Sequence, residues 1–168
     1  MTGKLILIGG ISRSGKSTLA KNLVSELENS VHLEQDLFVQ AQENLPRIKD
    51  RIDWDSPDSI DWSLWKRTIA AKLEQHDWVL AEGIFAFNQL ELIERADYTI
   101  SLSLDRDLFL EERKADTRWG KEPDWFLDHV WKAHQLHHNP HSVSFNLDKS
   151  RKDTPSADIL VQKIINKK

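Results

Sequence analysis

The sequence has no cysteine, a single tyrosine, a single methionine and no long apolar run. Without cysteine, disulfide bonds and thiolate metal sites are excluded, and a reducing cytoplasm, where we expect the protein to act, is a suitable environment. The apolar stretch at residues 5–8 is far shorter than the roughly 18 apolar residues that a membrane span requires. We therefore expect neither a signal segment nor a membrane partner.

An excess of positive charge is also missing. The 23 Lys and Arg residues are outnumbered by 27 Asp and Glu residues, which gives a net charge of −4. No basic field covers the surface, so we expect no nucleic-acid partner. With 168 residues the chain is long enough for one core, and we expect residues 1–168 to form a single domain. The sequence leaves open whether the protein is a monomer or a homo-oligomer.

Short apolar runs alternate with longer amphipathic stretches, a pattern typical of a parallel sheet wrapped by helices. We predict an α/β fold with a doubly wound parallel sheet of about five strands flanked by helices. The predicted strands are residues 4–8, 31–34, 78–81, 98–104 and 143–147. The predicted helices are residues 17–28, 60–75, 89–95, 105–118 and 124–138, and a last helix starts at 154–155. Residues 35–57 are predicted to be irregular, and Asp58 or Ser59 is the expected N-cap of the second helix.

A glycine-rich motif follows the first predicted strand. Residues 10–17 match G-x-x-x-x-G-K-[ST] and open the first predicted helix, which is the context that a phosphate-binding loop requires. Backbone amides and the helix dipole attract phosphate, Lys16 adds a cation, and the Ser17 hydroxyl is a Mg²⁺ ligand. The predicted ATP-binding residues are Gly10, Ile11, Ser12, Arg13, Ser14, Gly15, Lys16, Ser17 and Thr18. This loop predicts nucleotide binding but does not distinguish a kinase from an ATPase or a GTPase.

Two further carboxylates come at the ends of predicted strands. Asp36 follows the second strand and Glu82 ends the third, so both point to the crevice where an open parallel sheet binds its ligands. Asp36 can accept a proton from an acceptor hydroxyl or hold a metal through water, or it can simply cap a turn. Glu82 stands where a phosphate-loop protein places the carboxylate that holds Mg²⁺ through water, or it is simply an acid that ends a strand at the surface. Gly83 would let the chain turn sharply there.

An aromatic residue lies next to a carboxylate at Trp54 and Asp55. The indole can stack on a flat ring, and the carboxylate can accept hydrogen bonds from vicinal hydroxyls. The alternative is an acid-rich helix N-terminus, which explains Asp58 and Asp61 well and Trp54 and Asp55 less well.

Cations end the fourth predicted helix, at Arg113, Lys114 and Arg118. They can clamp a transferring phosphoryl group, or they can simply complement the helix dipole. We predict a small lid around residues 113–125. Trp119, in this lid, can close over a flat substrate, or it can simply pack at the rim of the site.

Five histidines lie in or after the helix predicted at residues 124–138. His134 and His138 are four residues apart and could share a face, as metal ligands do. No Glu or Cys completes a ligand set, so we expect a solvated helix end instead.

The order of these motifs resembles the uridine kinase and nicotinamide riboside kinase group of phosphate-loop kinases. The resemblance rests on GGISRSGKSTLAKNL, LEQDLF, DWDSPDSID, LAEGIFAFN, RKADTR and DHVW, and it covers about residues 4–138. It implies transfer of the ATP γ-phosphoryl group to a nucleoside 5′-hydroxyl. Asp36 then takes the place of the catalytic base, Trp54 and Asp55 bind the nucleoside, and Glu82 is the metal-shell carboxylate. Trp54 replaces the usual Phe or Tyr, which changes the shape of the ring pocket.

We therefore expect an ATP- and Mg²⁺-dependent small-molecule kinase. Lys16 and the loop amides neutralise the phosphates, Asp36 activates the acceptor, and Arg113, Lys114 or Arg118 closes from the lid. A kinase for a sugar or pantothenate-like alcohol, a nucleotide-hydrolysing switch and a non-catalytic binding module are the alternatives.

Overall fold

Five parallel strands form the central sheet, as the alternating pattern predicts. The computed structural model describes residues 3–117, 120–138, 143–150 and 157–166. The strands are β1 (Lys4–Gly10), β2 (Ser30–Glu34), β3 (Arg47–Ile48), β4 (Arg51–Ile52), β5 (Trp78–Gly83), β6 (Tyr98–Ser103) and β7 (Phe145–Asp148). The sheet order is β2-β5-β1-β6-β7, and β3 pairs with β4 in a separate antiparallel hairpin.

Helices cover both faces of the sheet, which makes the fold doubly wound as predicted. The helices are α1 (Lys16–Glu26), α2 (Trp62–Gln75), α3 (Leu90–Arg95), α4 (Arg106–Ala115), α5 (Asp124–His137) and α6 (Ala157–Ile165). Ile6 and Ile8 of β1 pack in the same core cluster as residues of α1 and α6, whereas Leu5 and Leu7 pack with residues of α2. Successive side chains of a strand point to opposite faces, so a strand buried on both sides must be continuously apolar.

The second helix begins two residues later than predicted, and its cap differs. Its N-cap is Asp61, whose carboxylate accepts a hydrogen bond from the Leu64 N–H at 2.9 Å. Asp58 and Ser59 lie instead in a separate 3₁₀ turn, Pro57–Ser59, where the Ser56 hydroxyl accepts from the Asp58 N–H. Helix α4 also ends earlier than predicted, because Asp116 is already extended.

The segment predicted to be irregular contains the β3–β4 hairpin. Its turn includes Lys49 in the left-handed region at φ 52°, and the Lys49 ammonium lies 3.8 Å from the ring centroid of Trp125 on α5. The Arg51 guanidinium lies 5.4 Å from the Phe126 ring. Two cation–π contacts therefore hold the hairpin against the N-terminal half of α5.

Strand register brings the predicted site residues to one edge of the sheet. Ile8 and Glu34 both pair with Glu82 of β5, one from each side. The loop after β1, the turn after β2 and the end of β5 are consequently adjacent, at the carboxyl edge where ligands bind in this class of fold. Among the described residues, no helix is both long and apolar enough to cross a membrane.

Candidate active site

The loop between β1 and α1 has the form that the phosphate-binding motif predicts. Helix α1 begins at Lys16 directly after Gly15, whose φ of 94° lies in the left-handed region. Glycine adopts this conformation without the steric cost that other residues incur. Because α1 starts here, its unpaired N-terminal amides face the loop, and Thr18 is exposed in the first turn.

Lys16 lies at the centre of the site and is almost completely buried. Its ammonium donates a hydrogen bond to the carbonyl of Ile11 at 3.2 Å. Burial lowers the pKa of Lys16, while the charges of Glu82, Asp36 and Asp55 act in the opposite direction. Carboxylates from three separate segments of the chain therefore favour the charged form of this one buried cation.

Ser17 and Glu82 are joined directly. The Ser17 hydroxyl donates to Oε1 of Glu82 at 2.7 Å, and Nε2 of His32 on β2 lies 3.5 Å from the same oxygen. Burial raises the pKa of Glu82, but His32, Lys16 and Ser17 outweigh it, so the net shift is downward and the carboxylate is ionised. A hydroxyl beside an ionised carboxylate is an oxygen-only set that suits Mg²⁺, which keeps several waters and phosphate oxygens as further ligands. The described residues contain no cluster of three or more acidic, His or Cys side chains that could hold a metal by themselves.

Asp36 is exposed and lies in the 3₁₀ turn Gln35–Leu37 that follows β2. Buried Gln35 anchors this turn by accepting a hydrogen bond from the Phe85 N–H at 3.0 Å. A Cβ atom at Gly83 would lie 2.3 Å from the Gln35 side chain, so Gly83 provides room for Gln35; the predicted sharp turn is not its reason. Partial desolvation of the carboxylate by the surrounding protein raises the pKa of Asp36. The charge of Lys16 lowers this pKa and that of Glu82 raises it, and the net shift is upward.

Side chains alternate in direction at residues 53–55. Asp53 and Asp55 are 9% and 5% exposed, while Trp54 between them is 44% exposed. Nε2 of His129 on α5 lies 3.0 Å from both oxygens of Asp53. The two acids thus face α5, and the indole between them is partly exposed to solvent.

Asp55 is held from two directions. Nε2 of His134 lies 3.0 Å from Oδ1 of Asp55, and Nη2 of Arg113 lies 3.9 Å from Oδ2. Burial raises the pKa of Asp55, but the hydrogen bond and charge of His134, with Arg113, lower it by more. Asp55 is therefore an ionised carboxylate in a nearly dry position.

Of the three predicted lid cations, Arg113 lies next to the phosphate loop. Its Nη1 donates to the Ser12 hydroxyl at 3.1 Å, and Nε and Nη2 donate to the two oxygens of Glu122 at 2.7 and 2.9 Å. Lys114 pairs with Asp124 at 3.2 Å on the exposed surface. Arg118 and Trp119 lie outside the described residues.

The prediction of a solvated helix end is wrong for His134, which is 1% exposed. Nor do His134 and His138 form a metal pair, because Nε2 of His138 instead lies 2.9 Å from the Ser101 hydroxyl. Burial, with the charge of Lys16, lowers the pKa of His138 to about 4, so its ring is neutral. His129, His134 and Glu122 were all missed as site residues. The sequence signals for the two histidines were the unusual density of histidine in α5 and, for His129, its place in the DHVW stretch, whereas Glu122 had none.

Comparison with known proteins agrees with the resemblance drawn from the motifs. No protein-family model matches the chain. A nicotinamide riboside kinase from Eremothecium gossypii is 37% identical over 67 residues, which cover 39% of this chain and 28% of that enzyme. A nicotinamide riboside kinase from Schizosaccharomyces pombe is 24% identical in an alignment that covers 96% of this chain and 94% of that enzyme.

The fold has solved counterparts as well. The structure of a possible uridine kinase from Bacillus stearothermophilus aligns with a TM-score of 0.58, at 16% identity, over 87% of this chain and 89% of that one. The predicted α/β phosphate-loop fold is thereby confirmed, as is the sequence similarity to nicotinamide riboside kinases; the match to the possible uridine kinase is one of fold.

Proposed function

We propose that this protein is an ATP-dependent kinase that phosphorylates a hydroxyl of a small molecule, with the 5′-hydroxyl of a nucleoside as the preferred acceptor. The observation that carries the proposal is that two ionised carboxylates lie beside the phosphate loop. Glu82 accepts from the Ser17 hydroxyl, and Asp55 lies 3.9 Å from Arg113, which donates to the Ser12 hydroxyl. A hydrolase needs the phosphate loop and one metal-shell carboxylate, whereas transfer to an alcohol also needs groups that bind and deprotonate the acceptor. Asp36 and Asp55 supply those groups here.

The donor half of the site consists of the phosphate loop with Ser17 and Glu82. Loop amides and Lys16 bind the triphosphate, and Lys16 exchanges its bond to the Ile11 carbonyl for phosphate oxygens. Ser17, with Glu82 behind it through water, and Asp36, also through water, would hold Mg²⁺, which when bound neutralises charge on the β- and γ-phosphates.

Asp36 is the proposed base. The acceptor oxygen forms a bond to the γ-phosphorus as the bond from that phosphorus to the bridging β,γ-oxygen breaks, ADP leaves, and the hydroxyl proton passes to Asp36. Its raised pKa brings the carboxylate closer to the operating pH, where a general base is most effective.

Trp54 and Asp55 are the proposed acceptor-binding residues, with Trp119 closing from the lid. An exposed indole can stack on a flat base, and the ionised carboxylate of Asp55 can accept hydrogen bonds from ribose hydroxyls. The relatives named nicotinamide riboside kinase make nicotinamide riboside the first acceptor to test, followed by uridine and cytidine.

A lid cation stabilises the charge that develops on the transferring group. We assign this role first to Arg113, because its guanidinium already contacts Ser12 of the phosphate loop. Lys114 and Arg118 are the alternative cations. We propose that the lid, residues 113–125, belongs to the same single domain, and that the enzyme acts in the cytoplasm.

A coupled ADP-release assay tests the proposal. Purified protein with Mg-ATP is presented with nicotinamide riboside, uridine, cytidine, other nucleosides, and several sugars and alcohols, with Lys16→Met as the inactive control. We expect one nucleoside to stimulate ADP release strongly and to appear as its 5′-phosphate by mass spectrometry. Stimulation only by a non-nucleoside would overturn the acceptor assignment, and acceptor-independent ATP hydrolysis would instead indicate a switch.

A further inference from the structure

His134 connects the two halves of the site. It lies on α5, and its ring contacts the phosphate loop with one nitrogen and the 53–55 segment with the other. The Ser12 N–H donates to Nδ1 at 3.2 Å, and Nε2 lies 3.0 Å from Oδ1 of Asp55. The three residues are separated by 122 and 79 positions in the chain, so only the fold brings them together.

These contacts determine the position of the ring proton. A backbone N–H can only donate, so Nδ1 must carry a lone pair. The proton is therefore on Nε2, which donates to Asp55. Burial lowers the pKa of His134 despite the attraction of Asp55, and the charges of Lys16 and Arg113 act in the same direction as burial. A neutral ring with one donor and one acceptor satisfies both neighbours.

We propose that His134 is a positioning residue that fixes the Asp55 carboxylate relative to the phosphate loop. The hydrogen bond from Nε2 occupies Oδ1, which orients the carboxylate and leaves Oδ2, 3.9 Å from Arg113, as the oxygen that meets the acceptor hydroxyls. The bond from Ser12 prevents the ring from flipping. This inference depends on the proposed function, because it assigns Asp55 to the acceptor.

The second His–Asp pair provides a contrast. His129 contacts both oxygens of Asp53 and is partly exposed, with a side-chain accessibility of 26%. It has no such link to the phosphate loop, so it fastens the 53–55 segment to α5 without coupling the two subsites. Of these two histidines, only His134 contacts both the phosphate loop and Asp55.

Steady-state kinetics on substituted proteins test the proposal. His134→Leu removes the donor to Asp55. Because the carboxylate then loses a charge-assisted hydrogen bond, we expect the acceptor KM to rise about tenfold or more. The ATP KM should change by less than about threefold, since the loop amides and Lys16 remain. His134→Gln keeps one carbonyl acceptor and one N–H donor, and it should restore the acceptor KM to within about threefold of wild type.

A double-substitution cycle separates positioning from stability. In an Asp55→Asn background, His134→Leu should add less than about twofold to the acceptor KM, because its effect acts through Asp55. Leu127→Ala, a buried substitution on the same helix but outside the cluster that contains Ile11 of the phosphate loop, is the matched control: it should lower stability and leave both KM values unchanged.

Equal increases in both KM values, or an acceptor KM that His134→Leu leaves unchanged, would overturn the inference and leave the proposed function intact. If the wild-type protein transfers phosphate to no acceptor in the panel, the proposed function and this inference are both refuted. A measurement on the wild-type protein covers the case in which His134→Leu does not fold. Nitrogen-15 NMR of the histidine rings should show the His134 proton on Nε2, and a proton on Nδ1 would overturn the assignment.

Discussion

The substitution Asp36→Asn gives the sharpest test of the proposed chemistry, because its effects on folding and on catalysis should separate. Asp36 is exposed, and its carboxylate accepts no hydrogen bond within the described part of the chain. Exposed substitutions without such partners usually change stability by no more than about 0.5 kcal/mol. The fold should therefore be retained. Asparagine keeps a side-chain oxygen that can accept a hydrogen bond from a metal-bound water, so the affinity for ATP should stay close to that of wild type.

Catalysis should respond very differently. A positioned general base typically contributes about 10²–10⁴-fold to the rate. At about 1.36 kcal/mol for each factor of ten, this corresponds to about 2.7–5.4 kcal/mol of transition-state stabilisation. The asparagine amide keeps the size of the side chain but cannot accept the hydroxyl proton, so kcat should fall by that factor.

The assay is coupled ADP release at saturating acceptor, with calorimetry for ATP affinity and thermal unfolding for stability. Glu43→Gln, which neutralises another exposed acid in the same region, is the matched control and should behave like wild type. If Asp36→Asn retained transfer within about tenfold of wild type, a loss of only about 1.4 kcal/mol, the assignment of Asp36 as the base would be refuted.

Four other predictions follow from the same geometry. Because the surrounding protein raises the pKa of Asp36, and its ionised form is the active base, kcat/KM should fall as the pH drops through a value above the ordinary pKa of aspartate. An acid limb at or below that ordinary value would contradict this. Glu82→Gln should raise the Mg²⁺ concentration needed for half-maximal activity by about 10–100-fold, and an unchanged Mg²⁺ titration would exclude Glu82 from the metal shell. Trp54→Ala should raise the acceptor KM by about tenfold at constant ATP KM, since base stacking contributes about 1–3 kcal/mol, and Trp54→Phe should have a smaller effect; equal KM values for all three proteins would refute stacking. Phe109→Ala removes a fully buried ring and should lower the free energy of unfolding in urea by about 3–5 kcal/mol, and a loss below about 1 kcal/mol would show that this cluster is not tightly packed.

The sequence predicted the features that depend on local pattern. A strand followed by glycines and a helix is a contiguous signal, so the phosphate loop and Lys16 could be placed without knowing the rest of the fold. The position of Glu82 followed from a buried strand that ends in an acid, and strand register then put it beside the loop. These inferences needed only the rule that parallel strands present their carboxyl ends to one side.

The features that sequence reasoning missed depend on contacts between distant segments. His134 looks like part of a polar helix end, and its burial arises because the 53–55 segment packs over α5. The bidentate pair of Arg113 with Glu122 likewise depends on how the chain returns after α4. The cap at Asp61 was misplaced for a local reason: three nearby polar residues could each serve as an N-cap, and Pro57 drew the other two into a 3₁₀ turn.

The alternation of Asp53, Trp54 and Asp55 has an evolutionary consequence. The two acids that face α5 are fixed by histidine partners on that helix, whereas the indole between them is 44% exposed and contributes little to the stability of the fold. Mutations at this one position can therefore accumulate at low cost to folding while they change the surface offered to the acceptor. Divergence of acceptor preference among related proteins would then be concentrated at position 54, and the flanking acids would vary far less.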